Sequence, residues 1–159
     1  MITKNNIIKE YAGNLNLLEK PLTAFLCSSK YSAAAVLRSY DWAMHQREQE
    51  KCVISGFHSP LEKDVLDLLL KGTQPVIIAL ARGMIKRIDP KLQEHIENGR
   101  LLIVSFFQPE INHISKETAQ KRNEIVASFA NEIVIAHASK GGKIEELVKG
   151  IKDKKVIFL

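Results

Sequence analysis

The amino-acid sequence predicts an α/β fold with three layers, in which helices cover both faces of a mostly parallel, doubly wound, Rossmann-like sheet. Short apolar runs recur along the chain, and longer segments of helical periodicity separate them. Continuous apolar runs are typical of strands that are buried on both faces. Strands that alternate with helices indicate right-handed βαβ units, and therefore a parallel sheet.

Residues 1–20 precede the first apolar run, and we interpret them as a helical lead-in. Apolar residues from Ile2 to Leu18 recur at roughly helical spacing, although Gly13 interrupts the pattern, and Pro21 ends it. We therefore divide the chain into this lead-in over residues 1–20 and a single Rossmann-like domain over residues 21–159.

The apolar runs are the predicted strands. They cover residues 22–27, 52–55, 75–80, 101–106, 133–136 and 155–159. Helices are predicted between them, over residues 32–49, from Pro60 to Gly72, from Asp89-Pro90 to Asn98-Gly99, over 115–130 and over 143–151. Proline is tolerated in the first turn of a helix, and Ser115 is a favourable N-cap residue.

Composition and charge restrict the class of protein. The 159 residues are 45% hydrophobic and 26% charged, which are the proportions of a soluble globular domain. There is no run of 18 apolar residues and no signal-peptide pattern, so we expect a cytoplasmic protein without a membrane partner. Cys27 and Cys52 lack CxxC or HExxH spacing, so neither a metal site nor a cofactor is expected. The net charge of +5 permits an anionic partner.

The residues that follow the predicted strands form one candidate surface, because ligands of open α/β sheets bind beyond the carboxyl ends of the strands. These residues are mostly basic or small and polar, which suits phosphate groups. The predicted phosphate or nucleic-acid site consists of Ser28, Ser29, Lys30, Ser55, Gly56, His58, Arg82, Lys121, Arg122, Asn123, Lys140, Gly141, Gly142 and Lys143.

Within that set, Lys30, Arg122, Lys140 and the backbone at Gly56 and Gly141 are expected to converge on one anion pocket. Arg122 is expected to contribute most, because its planar guanidinium can hold a phosphate through two hydrogen bonds. Phe57 and Phe107 are candidates for stacking on a base, although core packing is the favoured role for both.

Sequence motifs of the common nucleotide-binding enzymes are absent. Neither the GxxxxGK[ST] loop nor the GxGxxG fingerprint occurs, which argues against a P-loop enzyme and an NAD(P)-dependent dehydrogenase. His58 and His137 follow predicted strands, but the sequence places no carboxylate to orient either one. We therefore predict no catalytic residue.

Four segments, in order, resemble the Rossmann-like core of the DNA-processing protein A family. Phe25–Lys30 resembles the first strand and its turn, and Val53–Ser59 resembles the second. Lys121–Ala127 resembles the Arg-Asn-Arg helix start, and Ile133–Gly142 the last strand and its Ser-Gly turn. The resemblance covers roughly residues 22–150 and implies binding of single-stranded DNA and assistance to recombinase loading.

The sequence departs from this family in ways that bear on function. Lys30 stands where the family has arginine, and Glu124 replaces the second arginine of the Arg-Asn-Arg element. The family's flanking domains do not fit in 159 residues, which counts against a recombinase partner. A homodimer stays open.

Two other functions stay open. One is an enzyme of the lysine-decarboxylase-like superfamily, which cleaves nucleoside monophosphates at the glycosidic bond. The segment Gly141–Glu145 resembles the glycine-rich turn and catalytic glutamate of that superfamily. The other is a scaffold or oligomerisation domain. The leading interpretation is a module that binds single-stranded DNA or nucleotide phosphates.

Overall fold

A single sheet of seven strands organises the computed structural model, which describes residues 4–159. Its strands are β1 (Glu10–Ala12), β2 (Leu22–Cys27), β3 (Cys52–Ser55), β4 (Val76–Leu80), β5 (Leu101–Ser105), β6 (Glu132–His137) and β7 (Lys155–Phe158). Their order across the sheet is β1-β5-β4-β3-β2-β6-β7. Every pair is parallel except β1 with β5. The predicted fold class is therefore confirmed.

Helices cover both faces of this sheet. They are α1 (Lys4–Ile7), α2 (Ala33–Gln49), α3 (Pro60–Leu70), α4 (Pro90–Glu97), α5 (Lys116–Phe129) and α6 (Lys143–Lys149), with a 3-10 helix at Leu15–Glu19. Ser59 and Ser115 cap α3 and α5 through reciprocal capping boxes, in which each N-cap side chain and the N3 residue bond to each other's backbone. Among residues 4–159, no helix combines the length and apolar character that crossing a bilayer requires.

The core divides into two layers, because successive residues of a buried strand point to opposite faces. Ala24 and Leu26 of β2 pack on the face covered by α5 and α6, whereas Phe25 packs on the face covered by α2 and α3. The chain runs from β2 outward through β5 and then returns to place β6 on the other side of β2. The topological switch therefore lies between β2 and β6, which is where open α/β sheets bind ligands.

The predicted strands agree closely with the observed ones. The first two match at both ends, and the other four differ by at most one residue at each end. Helix starts at Pro60 and Pro90 and the N-cap at Ser115 also match.

The predicted helical lead-in over residues 1–20 is helical in part; residues 1–3 lie outside the described residues, and Leu15–Glu19 forms a 3-10 helix. Only Lys4–Ile7 forms an α-helical turn, and Glu10–Ala12 instead pairs with β5 in antiparallel fashion. That pairing satisfies backbone groups along the edge of β5, which no helix could do. Gly13, with a φ of +119°, then turns the chain away, which the helical periodicity did not reveal.

Candidate functional site

The carboxyl ends of the parallel strands meet the N-termini of the helices that follow them, and the amino ends meet helix C-termini. Cations lie at both edges, so charge alone does not locate a site. At the amino ends, Arg100 donates to the carbonyls of Leu69 and Leu70, and Lys154 donates to those of Ala127 and Ser128. Those cations offset the negative ends of α3 and α5. At the carboxyl ends, the positive charges of the cations and the positive ends of the helix dipoles reinforce each other, which favours the binding of an anion.

The turns after β2 and β6 are joined by hydrogen bonds across the topological switch. The Ser28 amide donates to the carbonyl of His137 at 2.9 Å, and the Ser139 amide donates to Ser28 Oγ at 2.9 Å. Ser139 Oγ donates to the carbonyl of Lys30 at 3.3 Å. We call residues 28–30 together with residues 139–143 the turn pair. Its members come from distant parts of the chain and are held in one place by their own polar groups.

The turn pair presents its cations to solvent. Lys30, Lys140 and Ser29 are exposed, whereas Ser28 is buried beneath them. Across residues 4–159, no hydrogen bond or ion pair involves the ammonium of Lys30 or Lys140. Lys143 differs, because its ammonium lies 3.3 Å from a Glu146 carboxylate oxygen. The structure thus brings Lys30 and Lys140 to neighbouring turns with their charges free.

The backbone amides of Gly141 and Gly142, in the turn after β6, already donate hydrogen bonds within the protein. Gly141 has a φ of +74°, and its amide donates to Glu145 Oε1 at 3.2 Å. That hydrogen bond lowers the pKa of the Glu145 carboxyl, and Lys149 adds to the shift. The Gly141 amide that was predicted to face a phosphate faces this carboxylate instead. Glu145 closes the turn, and a catalytic role for it belongs only to the alternative enzyme interpretation.

Arg122 is buried against the ends of β3 and β4. Arg122 lies on α5 and is only 4% exposed. Its Nη1 donates to the Ala79 carbonyl at 3.2 Å, and its Nε donates to Asn123 Oδ1 at 2.9 Å. The guanidinium lies against Gly56, where a Cβ atom would collide with it. Burial lowers the pKa of Arg122, and the nearby Glu62 carboxylate opposes that shift.

The structure places the residues of the predicted pocket in two adjoining groups, and their convergence on one anion stays a prediction. Arg122 and Gly56 lie at the ends of β3 and β4, while Lys30 and Lys140 lie at the ends of β2 and β6. β3 and β2 are neighbouring strands, so the two groups adjoin at the carboxyl edge of the sheet. The sequence placed all four at the carboxyl edge but did not reveal this division.

A cavity of about 800 Å³ lies between α3 and α4, and we call it the α3–α4 cavity. Arg122, Gly56 and the exposed His58 are among the residues that line it. The remaining predicted residues lie around these two sites. Arg82 is half-buried and donates to the Gly83 carbonyl, and Lys121 is exposed with Nζ 5.9 Å from the Phe107 ring.

Ser55 and the unpredicted Glu62 shape the floor between the two sites. Both are buried, and Ser55 Oγ donates to Glu62 Oε2 at 3.3 Å while the Ser59 amide donates to Oε1 at 3.0 Å. The Ser-x-x-Glu spacing of Ser59 and Glu62 is the sequence signal of this capping box. Phe57 and Phe107 are both buried, so core packing accounts for them.

The described residues suggest no metal centre. Within residues 4–159, no three His, Cys, Asp or Glu side chains come together as ligands. Both free cysteines carry raised thiol pKa values, which burial causes first in each case. Such thiols are poor metal ligands and poor nucleophiles, since the thiolate is the reactive form.

This chain is similar to known proteins in sequence and in fold. The family model described as DNA recombination-mediator protein A matches residues 3–159. The comparison with curated proteins yields no match.

Solved structures with the same fold include two DNA processing proteins. The Streptococcus pneumoniae protein has a TM-score of 0.72 and 21% identity, and the match covers 93% of this chain and 53% of that one. The chain thus spans about half the length of that relative. DNA processing protein A from Helicobacter pylori, described for its unique single-stranded DNA binding mode, has a TM-score of 0.70 and 17% identity, with 94% and 72% covered.

A third similar structure is the molybdenum cofactor binding protein of Rippkaea orientalis. Its TM-score is 0.59 and its identity 10%, and the match covers 87% of this chain and 76% of that one. At such identities, these three likenesses concern the fold.

Proposed function

Because the chain belongs to the DNA recombination-mediator protein A family, we propose that it binds single-stranded DNA, with the turn pair contacting the phosphate backbone. The description of the Helicobacter pylori relative by its single-stranded DNA binding mode supports this choice of ligand. The family description supports a role in DNA recombination, and a role in DNA uptake stays a prediction. A homodimer stays open, and a recombinase partner is not part of the proposal.

The observation that carries the proposal is the pair of free ammonium groups at the topological switch. Lys30 and Lys140 extend from turns that Ser28 and Ser139 join, so they present two positive charges at one place. The N-terminus of the long helix α2 begins two residues after Lys30, at N-cap Ser32, and adds its positive end. Phosphates of a flexible single strand can follow such a surface without sequence preference.

The test compares two double variants of equal charge. Lys30→Ala with Lys140→Ala removes both turn-pair cations, whereas Lys51→Ala with Lys152→Ala removes two exposed cations at the amino ends of the strands. Each protein is titrated with a fluorescent oligothymidylate at several salt concentrations. The first variant is expected to reduce the slope of log affinity against log salt by about 1.4, which corresponds to two phosphate contacts on a single strand. The second is expected to retain the wild-type slope.

Both variants are expected to keep the free energy of unfolding within about 0.5 kcal/mol of wild type, because all four lysines are exposed. Thermal unfolding checks that point. Equal salt slopes for the two variants would remove the turn pair from the interface, and failure of the wild-type protein to bind the oligonucleotide would reject the function.

A further inference from the structure

Helix α2 directs large apolar side chains toward solvent. Leu37 is 66% exposed and Met44 is 48% exposed, and the half-buried Tyr40 lies between them on the same side of the helix. A surface helix normally turns its apolar stripe toward the core. Here the buried positions of α2 hold small or polar residues, which are Ala35, Ser39, Ala43 and Gln46. An apolar stripe on the solvent side favours contact with another molecule.

An open cleft continues this stripe onto α3. The cleft has a volume of about 260 Å³ and is lined by Tyr40, Asp64, Asp67 and Leu68. Tyr40 Oη donates to Asp64 Oδ2 at 2.6 Å, and this hydrogen bond is the first cause of a raised pKa of the Tyr40 phenol. The phenol therefore stays neutral at physiological pH, and the two aspartates give the cleft a negative charge.

The carboxylates on this side of the molecule have no cation paired with them. Asp41 lies one turn after Leu37 on α2, and Asp64 and Asp67 lie one turn apart on α3. Among the residues that the structure describes, ion pairs occur only inside α6. Arg47, near the end of α2, donates to the Leu68 carbonyl at 3.3 Å instead. We use the name α2–α3 face for Leu37, Tyr40, Asp41, Met44, Asp64 and Asp67.

The charge of the α2–α3 face restricts the class of molecule that can cover it. The chain as a whole has a net charge of +5, yet this face combines three carboxylates with apolar side chains. Carboxylates repel the phosphates of nucleic acids and of anionic lipids. A complementary partner presents cations and apolar side chains together, as a basic amphipathic helix does.

We propose that the α2–α3 face binds a basic amphipathic helix of a protein partner. A lysine or arginine of that helix enters the cleft between Asp64 and Asp67, and its apolar side chains pack on Leu37 and Met44. Leu37 and Met44 are two helical turns apart, about 11 Å, which is also the spacing of residues i and i+7 in the partner helix. The turn pair takes no part in this contact, so the inference goes beyond the proposed DNA binding.

The probe is a synthetic helical peptide of about four turns, with leucine along one stripe and lysine on both flanks. Two further peptides serve as controls. One has the same composition in scrambled order, and the other has glutamate in place of every lysine. Backbone amide chemical shifts of the isotope-labelled protein locate each peptide, and their change during titration gives its affinity.

Two variants alter the α2–α3 face. Asp64→Asn with Asp67→Asn removes the charge of the cleft and keeps an acceptor for the Tyr40 hydroxyl. Leu37→Asp replaces an exposed apolar side chain, so the fold does not depend on it. Thermal unfolding confirms that each variant is folded before its binding is measured.

Matched changes elsewhere on the surface control for the loss of charge and of apolar area. Glu110→Gln with Glu117→Gln removes two exposed carboxylates outside the face, and Ile111→Asp replaces an exposed apolar side chain in a loop. Both are expected to bind the leucine–lysine peptide as wild type does.

Wild type is expected to bind the leucine–lysine peptide with shifts confined to α2 and α3, and to bind both control peptides about tenfold more weakly or less. The Asp64→Asn, Asp67→Asn variant is expected to lose about 3- to 10-fold in affinity, as for two exposed ion pairs. Leu37→Asp is expected to lose about tenfold or more, because it places a charge against the apolar stripe of the peptide. Both face variants are expected to keep the wild-type salt slope for oligothymidylate, which separates this inference from the proposed function.

Three results would overturn the inference: no binding of the leucine–lysine peptide to wild type, shifts outside α2 and α3, or equal affinities for wild type and both face variants. Analytical ultracentrifugation tests a second copy of the chain as the occupant. A wild-type dimer that Leu37→Asp dissociates would assign the face to that second copy and would also overturn the proposed partner.

Discussion

Lys30 and Arg122 both lie at the carboxyl ends of the sheet, yet their surroundings differ in kind. Lys30 is exposed on the turn pair, whereas Arg122 is 4% exposed beneath the α3–α4 cavity. An exposed ammonium keeps its water, interacts over a Debye length and is screened by salt. A buried guanidinium has lost water and depends on the few acceptors that it contacts. Two cations at the same edge of the sheet can therefore bind anions in different ways, one through screened long-range attraction and the other through direct contact.

The two regions also differ in how they are held. Polar groups join the turn pair, through Ser28 and Ser139, and leave its surface open to solvent. Close packing holds the Arg122 region, where the guanidinium occupies the space above Gly56. Substitutions in the Arg122 region should therefore have the larger effect on the free energy of unfolding. Substitutions in the turn pair should mainly change the affinity for DNA.

The largest effect on stability is expected from Gly56→Ala. Its Cβ would collide with the Arg122 guanidinium, so either the side chain or the strand end must move. The expected loss is about 1–3 kcal/mol in the free energy of unfolding, as for other overpacked sites. Urea denaturation measures it, with Gly150→Ala as control because a Cβ there meets only the Leu147 carbonyl, at 3.5 Å.

The cause of that loss can be checked with a second substitution. Adding Arg122→Met to Gly56→Ala should restore part of the lost stability, since the colliding group has been replaced. Additive losses in the double variant would show that Arg122 is not the obstacle.

A smaller effect is expected from Ser28→Ala in the turn pair. Ser28 Oγ accepts the Ser139 amide at 2.9 Å and is buried, so its removal leaves that amide without its partner. The expected loss is about 1 kcal/mol of unfolding free energy. Affinity for single-stranded DNA should fall as well, although no charge has changed, because the two lysines are no longer held together.

Ser128→Ala is the matched control, since Ser128 is an exposed serine near the end of α5, outside the turn pair. Oligonucleotide titration and urea denaturation of both variants decide the matter. Identical behaviour of Ser28→Ala and Ser128→Ala would mean that the hydrogen bond does not hold the turn pair together.

The smallest effect at neutral pH concerns Cys27, which lies at the end of β2. Burial raises the pKa of its thiol from 9.0 to about 12, with Glu62 adding to the shift and a hydrogen bond with the His137 backbone opposing it. The neutral thiol therefore contributes stability that is complete below pH 9 and is lost as the pH approaches 12. The free energy of unfolding should fall across that window.

The difference in absorbance near 240 nm between the Cys52→Ala protein and the Cys27→Ala, Cys52→Ala protein reports the Cys27 titration, because it subtracts the ionisation of the three tyrosines. Glu62→Gln should lower the Cys27 pKa by only a part of the shift, because burial is its larger cause. A Cys27 pKa near 9 in the folded protein would contradict the buried environment at the end of β2.

Local patterns in the chain were sufficient for the strands and for most helix starts. Leu22–Cys27 and Leu101–Ser105 read as strands because a continuous apolar run must be buried on both faces to leave water. Ser115 and Pro60 mark helix starts because capping and a fixed φ act within one turn. These forces act between near neighbours, so they can be read directly from the order of residues.

Strand order and contacts between loops depended on the tertiary structure. The short strand at Glu10–Ala12 exists because β5 offers an edge in need of partners, and its own sequence resembles a helix. Arg122 meets Ala79 and Gly56 only because α5 packs across β2, β3 and β4. Whether a cation faces water or a buried carbonyl depends on which distant segments pack around it. The residues beside Arg122 in the chain do not determine which segments those are.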